Sequence, residues 1–328
     1  MKKYIYIFLL ILMNACKSEG QNHKLSGKIV VCELPSTEGK CYIINDDVKK
    51  EFFLPKTKER EYDLQSWLNK KDVLIGIERN KSQSRKTTHS NLVLLDTLGN
   101  IIERLIETEE GQYIGLAYPS SNDSLLLFTT EVETKEMGAL ELFNRPVSIN
   151  VINFKSRAII KQMPNICSNI NFDIHESPWS PDEDKFVYSI RSDRKVVEAG
   201  KSGMIYLQPE DGVYIYNIKQ DSFTRIAEKG FYAVWSPKGD NIAFLNDNKI
   251  WLYKTLSKSI ELLYVAEKQE QLKIIHWTPD GDYLYVICPK YGGNNFNMQH
   301  NEKLIRVKDR EEVSFVKPNI GLNVFTWK

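Results

Sequence analysis

A large aromatic residue recurs along this chain at intervals of roughly 50 residues. Five of the six tryptophans occupy the recurring position, and Tyr118 fills the one gap in the series. The recurring residues are Trp67, Tyr118, Trp179, Trp235, Trp277 and Trp327. Self-similarity at this period is typical of repeat architectures, in which each copy forms one supersecondary unit and adjacent copies bury a shared core.

The copy at residues 231–266 shows what one unit contains. Alternating apolar residues predict strands at 231–235, 241–245, 249–253 and 259–265, separated by short polar turns. Four short antiparallel strands per repeat are typical of a β-propeller blade. No segment shows a sustained 3.6-residue apolar period, so the sequence predicts an all-β fold.

Five of the copies end their first turn with an aspartate. These residues are Asp72, Asp123, Asp184, Asp240 and Asp282. We interpret them as turn caps that accept bonds from nearby backbone N–H groups. The alternative is calcium ligation, but aspartates spread one per blade around a ring could not converge on one ion.

The two ends of the chain supply the remaining blade. Residues 321–328 resemble a first strand alone, and residues 28–32, 41–45 and 51–54 resemble second, third and fourth strands. Joined, they complete a six-bladed β-propeller of four-stranded antiparallel blades at residues 27–328. Closure by N- and C-terminal strands in one blade removes exposed sheet edges.

Three copies carry a motif that resembles a known family. The segments Trp-Ser-Pro-Asp-Glu-Asp at 179–184, Trp-Ser-Pro-Lys-Gly-Asp at 235–240 and Trp-Thr-Pro-Asp-Gly-Asp at 277–282 resemble the repeats of TolB-type propellers. Similar blades occur in the propeller domain of prolyl oligopeptidase relatives. The chain leaves no room for the α/β domain of TolB, and it contains no Gly-x-Ser-x-Gly elbow. The resemblance therefore implies a stand-alone propeller and transfers no activity.

The first fifteen residues are typical of a lipoprotein signal peptide. A positive start and a short apolar core at 4–12 precede Cys16, whose thiol would be lipidated after cleavage. An ordinary secretory signal with a chance cysteine is the alternative. Because Lys17 follows the cysteine, we expect the outer membrane and a cell-envelope location, with residues 16–26 as a tether.

Four further cysteines would face an oxidising compartment. If residues 35–38 form a hairpin loop, Cys32 faces Cys41 and a cross-strand disulfide becomes possible. We expect Cys167 and Cys288 to be buried thiols. The balanced charge, 44 basic against 43 acidic residues, lacks the excess that nucleic-acid binding requires.

The longest predicted insertions all join second and third strands. They cover residues 80–90, 131–145, 192–211 and 289–302. Because these connections leave the same face of a propeller, they would crowd one rim and form a recognition surface. Neutral drift of surface loops is the alternative, since insertions there cost little free energy.

Residues just ahead of each recurring aromatic should line the channel mouth on that same face. These candidate binding residues are Tyr62, Asp63, Tyr113, Asp173, His175, Glu176, Tyr232, Lys273 and Asn323. Such a set could hold a sugar or a peptide end. Asp173, His175 and Glu176 form the one cluster in the sequence with metal-ligand chemistry.

Two functions from different classes follow. The first is a non-catalytic, lipid-anchored binding or scaffold propeller that is monomeric, needs no cofactor, contacts the membrane only through its anchor, and engages an envelope protein or extracellular polymer. The alternative is a metal-dependent polysaccharide lyase or hydrolase, since some TolB-like propellers resemble such enzymes.

Overall fold

The chain folds into a closed ring of six antiparallel sheets. The computed structural model describes residues 28–32, 40–45, 48–55, 57–81, 87–132, 147–163, 170–171, 177–190, 211–267, 270–272, 274–290, 299–315 and 324–327. These residues contain no helix and form six four-stranded blades. The prediction of an all-β, six-bladed β-propeller is confirmed.

Within each blade, the strands follow in order from the innermost to the outermost. Blade 1 contains β24 (Val324–Trp327), β1 (Lys28–Cys32), β2 (Lys40–Asn45) and β3 (Val48–Phe53). Blade 2 contains β4 (Arg60–Trp67), β5 (Leu74–Lys81), β6 (Thr87–Leu95) and β7 (Ile101–Ile106). Blade 3 contains β8 (Gln112–Pro119), β9 (Leu125–Val132), β10 (Val147–Asn153) and β11 (Ile159–Met163).

The second half of the chain repeats the same order. Blade 4 contains β12 (Ile170–Asn171), β13 (Lys185–Ile190), β14 (Gly212–Asn217) and β15 (Ser222–Ala227). Blade 5 contains β16 (Phe231–Trp235), β17 (Asn241–Asn246), β18 (Lys249–Lys254) and β19 (Ser259–Val265). Blade 6 contains β20 (Ile274–Trp277), β21 (Tyr283–Lys290), β22 (Gln299–Arg306) and β23 (Glu312–Val313).

The two ends of the chain meet in blade 1, as the sequence predicts. Strand β24 pairs antiparallel with β1, so that Ile29 lies opposite Trp327 and Val30 lies opposite Thr326. The N-terminal strand therefore has a paired neighbour on each side, β24 and β2. Strand β24 is thus the innermost strand of the blade, and its pairing with β1 closes the ring.

The ring has two distinct faces. We call the face reached by the turns between first and second strands and between third and fourth strands the turn face; the opposite face is the loop face. Two backbone bonds show that the other connections share the loop face: the Lys81 amide donates to the Glu59 carbonyl (2.7 Å), and the Gly111 amide donates to the Thr88 carbonyl (2.8 Å).

Hydrophobic clusters hold adjacent blades together. Among the described residues there is one cluster at each of the six seams between blades. Indole groups add polar links across two seams: Trp179 Nε1 donates to the Tyr118 carbonyl (3.0 Å) and Trp277 Nε1 donates to the Val234 carbonyl (3.3 Å). The recurring aromatic thus packs a blade against its predecessor.

The assignment of Tyr118 to the recurring aromatic position, in blade 3, is wrong by one residue. Pro119 directly precedes the hydrogen-bonded turn, as Trp67 and Trp235 do in their blades. Because side chains alternate along a strand, this shift turns Tyr118 to the opposite side of β8. Tyr118 there joins the cluster of Trp179, at the seam with the following blade.

The aspartate interpretation also needs correction. In blades 4 and 6 the residues that cap the first turn are Asp182 and Asp280, whose carboxylates accept bonds from the amides of Asp184 and Asp282, respectively. Asp282 itself instead pairs with Lys238 of the preceding blade (2.6 Å). Sequence alone could not show this, because the partner belongs to another repeat.

In the first turn of blades 3 and 4, an acidic residue adopts the positive φ that glycine adopts in blades 5 and 6. Gly239 adopts a φ of 75° and packs against Pro181 of the preceding blade. Asp123, with a φ of 60°, accepts bonds from the amides of Asn69 (2.7 Å) and Lys70 (2.8 Å) one blade back. Contacts between successive turns therefore tie blades together along the turn face.

Candidate binding face

Four of the predicted binding residues, three tyrosines and Asp63, lie within the described chain, and all four lie on the loop face. Tyr62, Tyr113 and Tyr232 occupy the early part of β4, β8 and β16, the innermost strands of blades 2, 3 and 5. These strands begin at the loop face, so the ring brings the three tyrosines to one side. Outside the described residues lie Cys16, Asp173, His175, Glu176, Lys273 and Asn323.

The three tyrosines differ in the surface that they offer. Tyr62 and Tyr232 are half-buried, whereas Tyr113 is only 7% exposed. Tyr232 lies in a β-bulge with a φ of 53°, and its ring meets Phe231 edge-on at 5.1 Å. Bulges often redirect side chains beside functional sites. Tyr62 and Tyr232 are therefore the better placed for ligand contact.

A buried carboxylate fixes the hydroxyl of Tyr62. Glu78 on β5 is 1% exposed and accepts a bond of 2.6 Å from Tyr62 Oη. Arg104 donates to both oxygens of Glu78, at 2.9 and 3.0 Å, and Asn91 Nδ2 donates at 3.0 Å. Arg60 adds a longer ion pair at 3.5 Å. A carboxylate with this many donors can be buried without an unpaired charge.

The network sets the protonation of both groups. Although burial opposes ionisation, the bonds from Arg104, Tyr62 and Asn91 lower the pKa of Glu78 to about 2. Burial, followed by the bond to Glu78, raises the pKa of Tyr62 to about 12. At neutral pH Glu78 is therefore ionised and Tyr62 is a neutral hydroxyl.

The predicted loop at 80–90 is shorter than expected. Strand β5 instead continues to Lys81 and β6 begins at Thr87, so only residues 82–86 connect them. Polar residues continue the ladder: Glu78 lies opposite Asn91 and accepts a bond from it, and Asn80 lies opposite His89. His89, expected in a loop, is a strand residue. The other three insertions join strands at the loop face, as predicted, through residues 133–146, 191–211 and 291–298.

A second buried charge lies at the seam between blades 5 and 6. Lys303 on β22 is 2% exposed, and its ammonium donates to Tyr264 Oη at 2.7 Å and contacts Glu270 at 3.0 Å. Glu270 is also buried and accepts a bond of 2.7 Å from Asn301. These donors lower the pKa of Glu270 despite its burial. The network stiffens the loop face between two blades.

Exposed ion pairs surround the mouth of blade 2. Asp63 pairs with Arg79, and Glu61 pairs with Lys81. Pairs this accessible contribute little stability. They present alternating charge beside Tyr62, which suits recognition of a polar or zwitterionic surface.

Two recesses among the described residues open away from the three tyrosines. A recess of about 400 Å³ lies between blades 4 and 5, and another of about 380 Å³ lies between blades 5 and 6. Lys238 of the turn face lines both. Ion pairs such as Lys238–Asp282 and Arg310–Glu261 occupy their charged groups. Neither recess contains a predicted binding residue.

The predictions about the cysteines are tested only in part. Cys32 lies opposite Cys41 as predicted, and Cys41 is buried and disulfide-bonded. The side chain of Cys32 lies outside the description, so the pairing stays a prediction. Cys288 is a buried free thiol, as expected, whereas Cys167 is not among the described residues.

Among the described residues, no group of three His, Cys, Asp or Glu side chains could hold a metal ion. In the same part of the chain, no helix has the length and apolar character needed to cross a bilayer. Neither finding reaches Asp173, His175 and Glu176, so the metal hypothesis is untested.

Comparisons with known sequences match one part of the chain. Residues 208–263 match the family model described as the dipeptidyl peptidase IV (DPP IV) N-terminal region. Dipeptidyl aminopeptidase B of Saccharomyces cerevisiae is 30% identical over 88 residues, which cover 22% of this chain and 11% of that protein. The chain thus spans a small part of its curated relative. The family match falls on β14 to β19.

Comparisons with solved structures cover nearly the whole ring. TolB from Acinetobacter baumannii superposes with a TM-score of 0.58 at 16% identity, covering 93% of this chain and 67% of that one. An oligogalacturonate lyase from Vibrio parahaemolyticus gives 0.55 at 12% identity, covering 89% and 76%, respectively. At such identities the similarity shows a shared propeller fold.

Proposed function

We propose that this protein is a lipid-anchored binding propeller of the cell envelope, and that its loop face recognises a protein or polymer. The observation that supports this most is the fixing of Tyr62 by a buried, fully bonded carboxylate on a rigid ring. A held aromatic ring loses little conformational entropy on binding, which favours affinity. Tyr232, at the same face, would supply a second contact.

The protonation states favour binding over proton transfer at these residues. An efficient general acid or base has a pKa near the working pH. Glu78 at about 2 and Tyr62 at about 12 are both far from neutrality. Their bonds serve to hold position.

The proposed location follows from the predicted lipoprotein signal peptide at residues 1–15. We propose cleavage before Cys16, lipidation of its thiol, and attachment to the outer membrane. Lipidation at Cys16 supports this location, because two or more acyl chains give the stable membrane attachment that one chain does not.

Site-specific photo-crosslinking tests the recognition surface. A photo-reactive amino acid at Asp63 or Glu109, both exposed on the loop face, should capture the same partner in intact cells. Matched positions on the turn face are Lys71 and Lys155, also exposed. Capture from the turn-face positions alone would contradict the proposal.

The alternative is a metal-dependent polysaccharide lyase or hydrolase. Its support is the Asp173, His175 and Glu176 cluster, together with the fold similarity to an oligogalacturonate lyase. Elemental analysis of the purified full chain, with and without the His175→Ala substitution, tests it. A stoichiometric divalent ion lost in the variant, with cleavage of acidic polysaccharide, would favour the enzyme; a metal-free, inactive protein would remove it.

A further inference from the structure

The chain enters the ring at the turn face. Lys28, the first described residue, forms an ion pair of 2.6 Å with Asp72, which lies in the first turn of blade 2. From there β1 runs towards the loop face. If Cys16 is anchored as proposed above, residues 17–27 connect the bilayer to the turn face. An extended segment of that length spans at most roughly 40 Å.

Exposed apolar side chains gather at the same end of the molecule. We call them the apolar belt, defined as Val48, Leu98, Ile102, Ile160, Phe223 and Leu256. Each is between 48% and 93% exposed. Leu98 and Leu256 lie in turns between third and fourth strands, and the others occupy the first or second position of an outermost strand. Blades 1 to 5 each contribute at least one member.

The belt has the composition of a surface that meets a lipid headgroup region. Single exposed apolar residues are ordinary on soluble proteins, but their concentration at one end of the molecule indicates a surface that binds something. Exposed lysines flank the belt, including Lys155 and Lys258. Carboxylates of the same face, such as Asp72 and Asp123, are bonded to neighbouring blades. Apolar insertion with basic side chains around it favours anionic lipid surfaces.

We propose that the turn face docks on the lipid surface that carries the Cys16 anchor, with the apolar belt at headgroup level. This extends the membrane contact beyond the anchor and rests on the proposed lipidation. Docking would aim the loop face, with Tyr62 and Tyr232, away from the bilayer. The acyl chains of the anchor would hold the protein at the bilayer, and the belt would decide which face meets the lipid.

Depth measurements on the full chain test the orientation. Single cysteines at Leu98 and Leu256 would carry an environment-sensitive fluorophore, with Val265, 51% exposed at the loop-face end of β19, as the matched control. The processed protein is placed in vesicles of phosphatidylethanolamine and phosphatidylglycerol containing a spin-labelled quencher lipid. We expect quenching at 98 and 256 and none at 265. Quenching at 265 alone, or at no position, would overturn the docking.

A second set of measurements separates docking from anchoring. Intact mass of the envelope-purified protein reports whether Cys16 carries lipid, independently of orientation. The full-length Cys16→Ala chain should retain weak vesicle binding, which Leu98→Ser with Leu256→Ser should reduce by about tenfold. Phe53→Ser with Val265→Ser, the matched pair at the loop-face end, should leave it unchanged. Equal loss in both pairs, or a doubled mass in solution that the belt substitutions abolish, would overturn the proposal.

Discussion

Replacing Lys303 with methionine tests the energetics of the seam between blades 5 and 6. The substitution keeps most of the side-chain volume and removes the ammonium that contacts Glu270 at 3.0 Å. Both side chains are 2% exposed, so Glu270 would remain as a buried charge with Asn301 as its main donor. Breaking a buried pair in this way costs about 3–5 kcal/mol.

The other two ion pairs of Lys303 add little to that figure. Glu267 is 75% exposed and Glu312 is 49% exposed, so water screens both pairs. Each contributes at most about 1 kcal/mol. The free energy of unfolding should therefore fall by about 3–5 kcal/mol in the Lys303→Met variant, against roughly 5–15 kcal/mol for a typical domain.

The assay is urea unfolding followed by tryptophan fluorescence, since Trp277 lies in the cluster at the same seam. Lys254→Met is the matched control, because its pair with Glu261 is about one-third exposed on each side and should cost about 1 kcal/mol or less. The double variant Lys303→Met with Glu270→Gln should recover most of the loss. A loss below about 1 kcal/mol in the single variant, or no recovery in the double, would refute the reasoning.

The same pair has a pH signature with a definite sign. The pKa of Glu270 lies below its ordinary value of 4.5 in the folded protein, so its contribution is present above pH 4.5 and is lost as the pH falls through the folded pKa. In Lys303→Met the isolated buried carboxyl should have a raised pKa. The stability gap between wild type and variant should therefore narrow from pH 7 to pH 4.

Three further predictions concern other links. Glu78→Gln should lower the free energy of unfolding by about 2–4 kcal/mol at pH 7, measured by urea unfolding. Because the pKa of Glu78 in the folded protein is about 2, the difference in stability between wild type and variant should decline only as the pH falls from about 4.5 towards 2. Asp123→Ala removes the acceptor of two amides in the adjacent blade, so the Asn69 amide should exchange its hydrogen faster while blade 5 amides do not change. If Cys32 pairs with Cys41, Cys32→Ser should lower the free energy of unfolding by about 2–3 kcal/mol, and reduction of the wild type should lower it by the same amount. An alkylated mass that is the same with and without reductant would exclude the bond.

Much of the fold could be predicted because each blade satisfies its local rules. In blade 5 the predicted strands differ from β16–β19 by at most one residue at either end. Alternating apolar residues and turn residues such as Pro237 and Gly239 are sufficient there. The joining of the two termini followed from incomplete copies at each end, not from any local signal.

Side-chain interactions between repeats, or between strands that are not neighbours in one sheet, could not be predicted in the same way. The partner of Asp282 is Lys238 in another blade, and the buried Glu78 is satisfied by Arg104 from a strand two positions away in its sheet. Strand length was underestimated at β5 for the same reason, since a polar residue such as Glu78 suggests a loop unless its partners are known. Four of the nine candidate binding residues are placed by the structure, and these four share the loop face.

Hydrogen exchange at the chain ends tests the closed ring most directly. On the full chain, the amides of β24 and β1 should exchange as slowly as those of the inner strands of blade 5, because each strand is paired in blade 1. A chain that ends at residue 323 should lose protection in β1 as well. Rapid exchange in residues 324–327 of the full chain, or unchanged protection of β1 after truncation, would contradict the account.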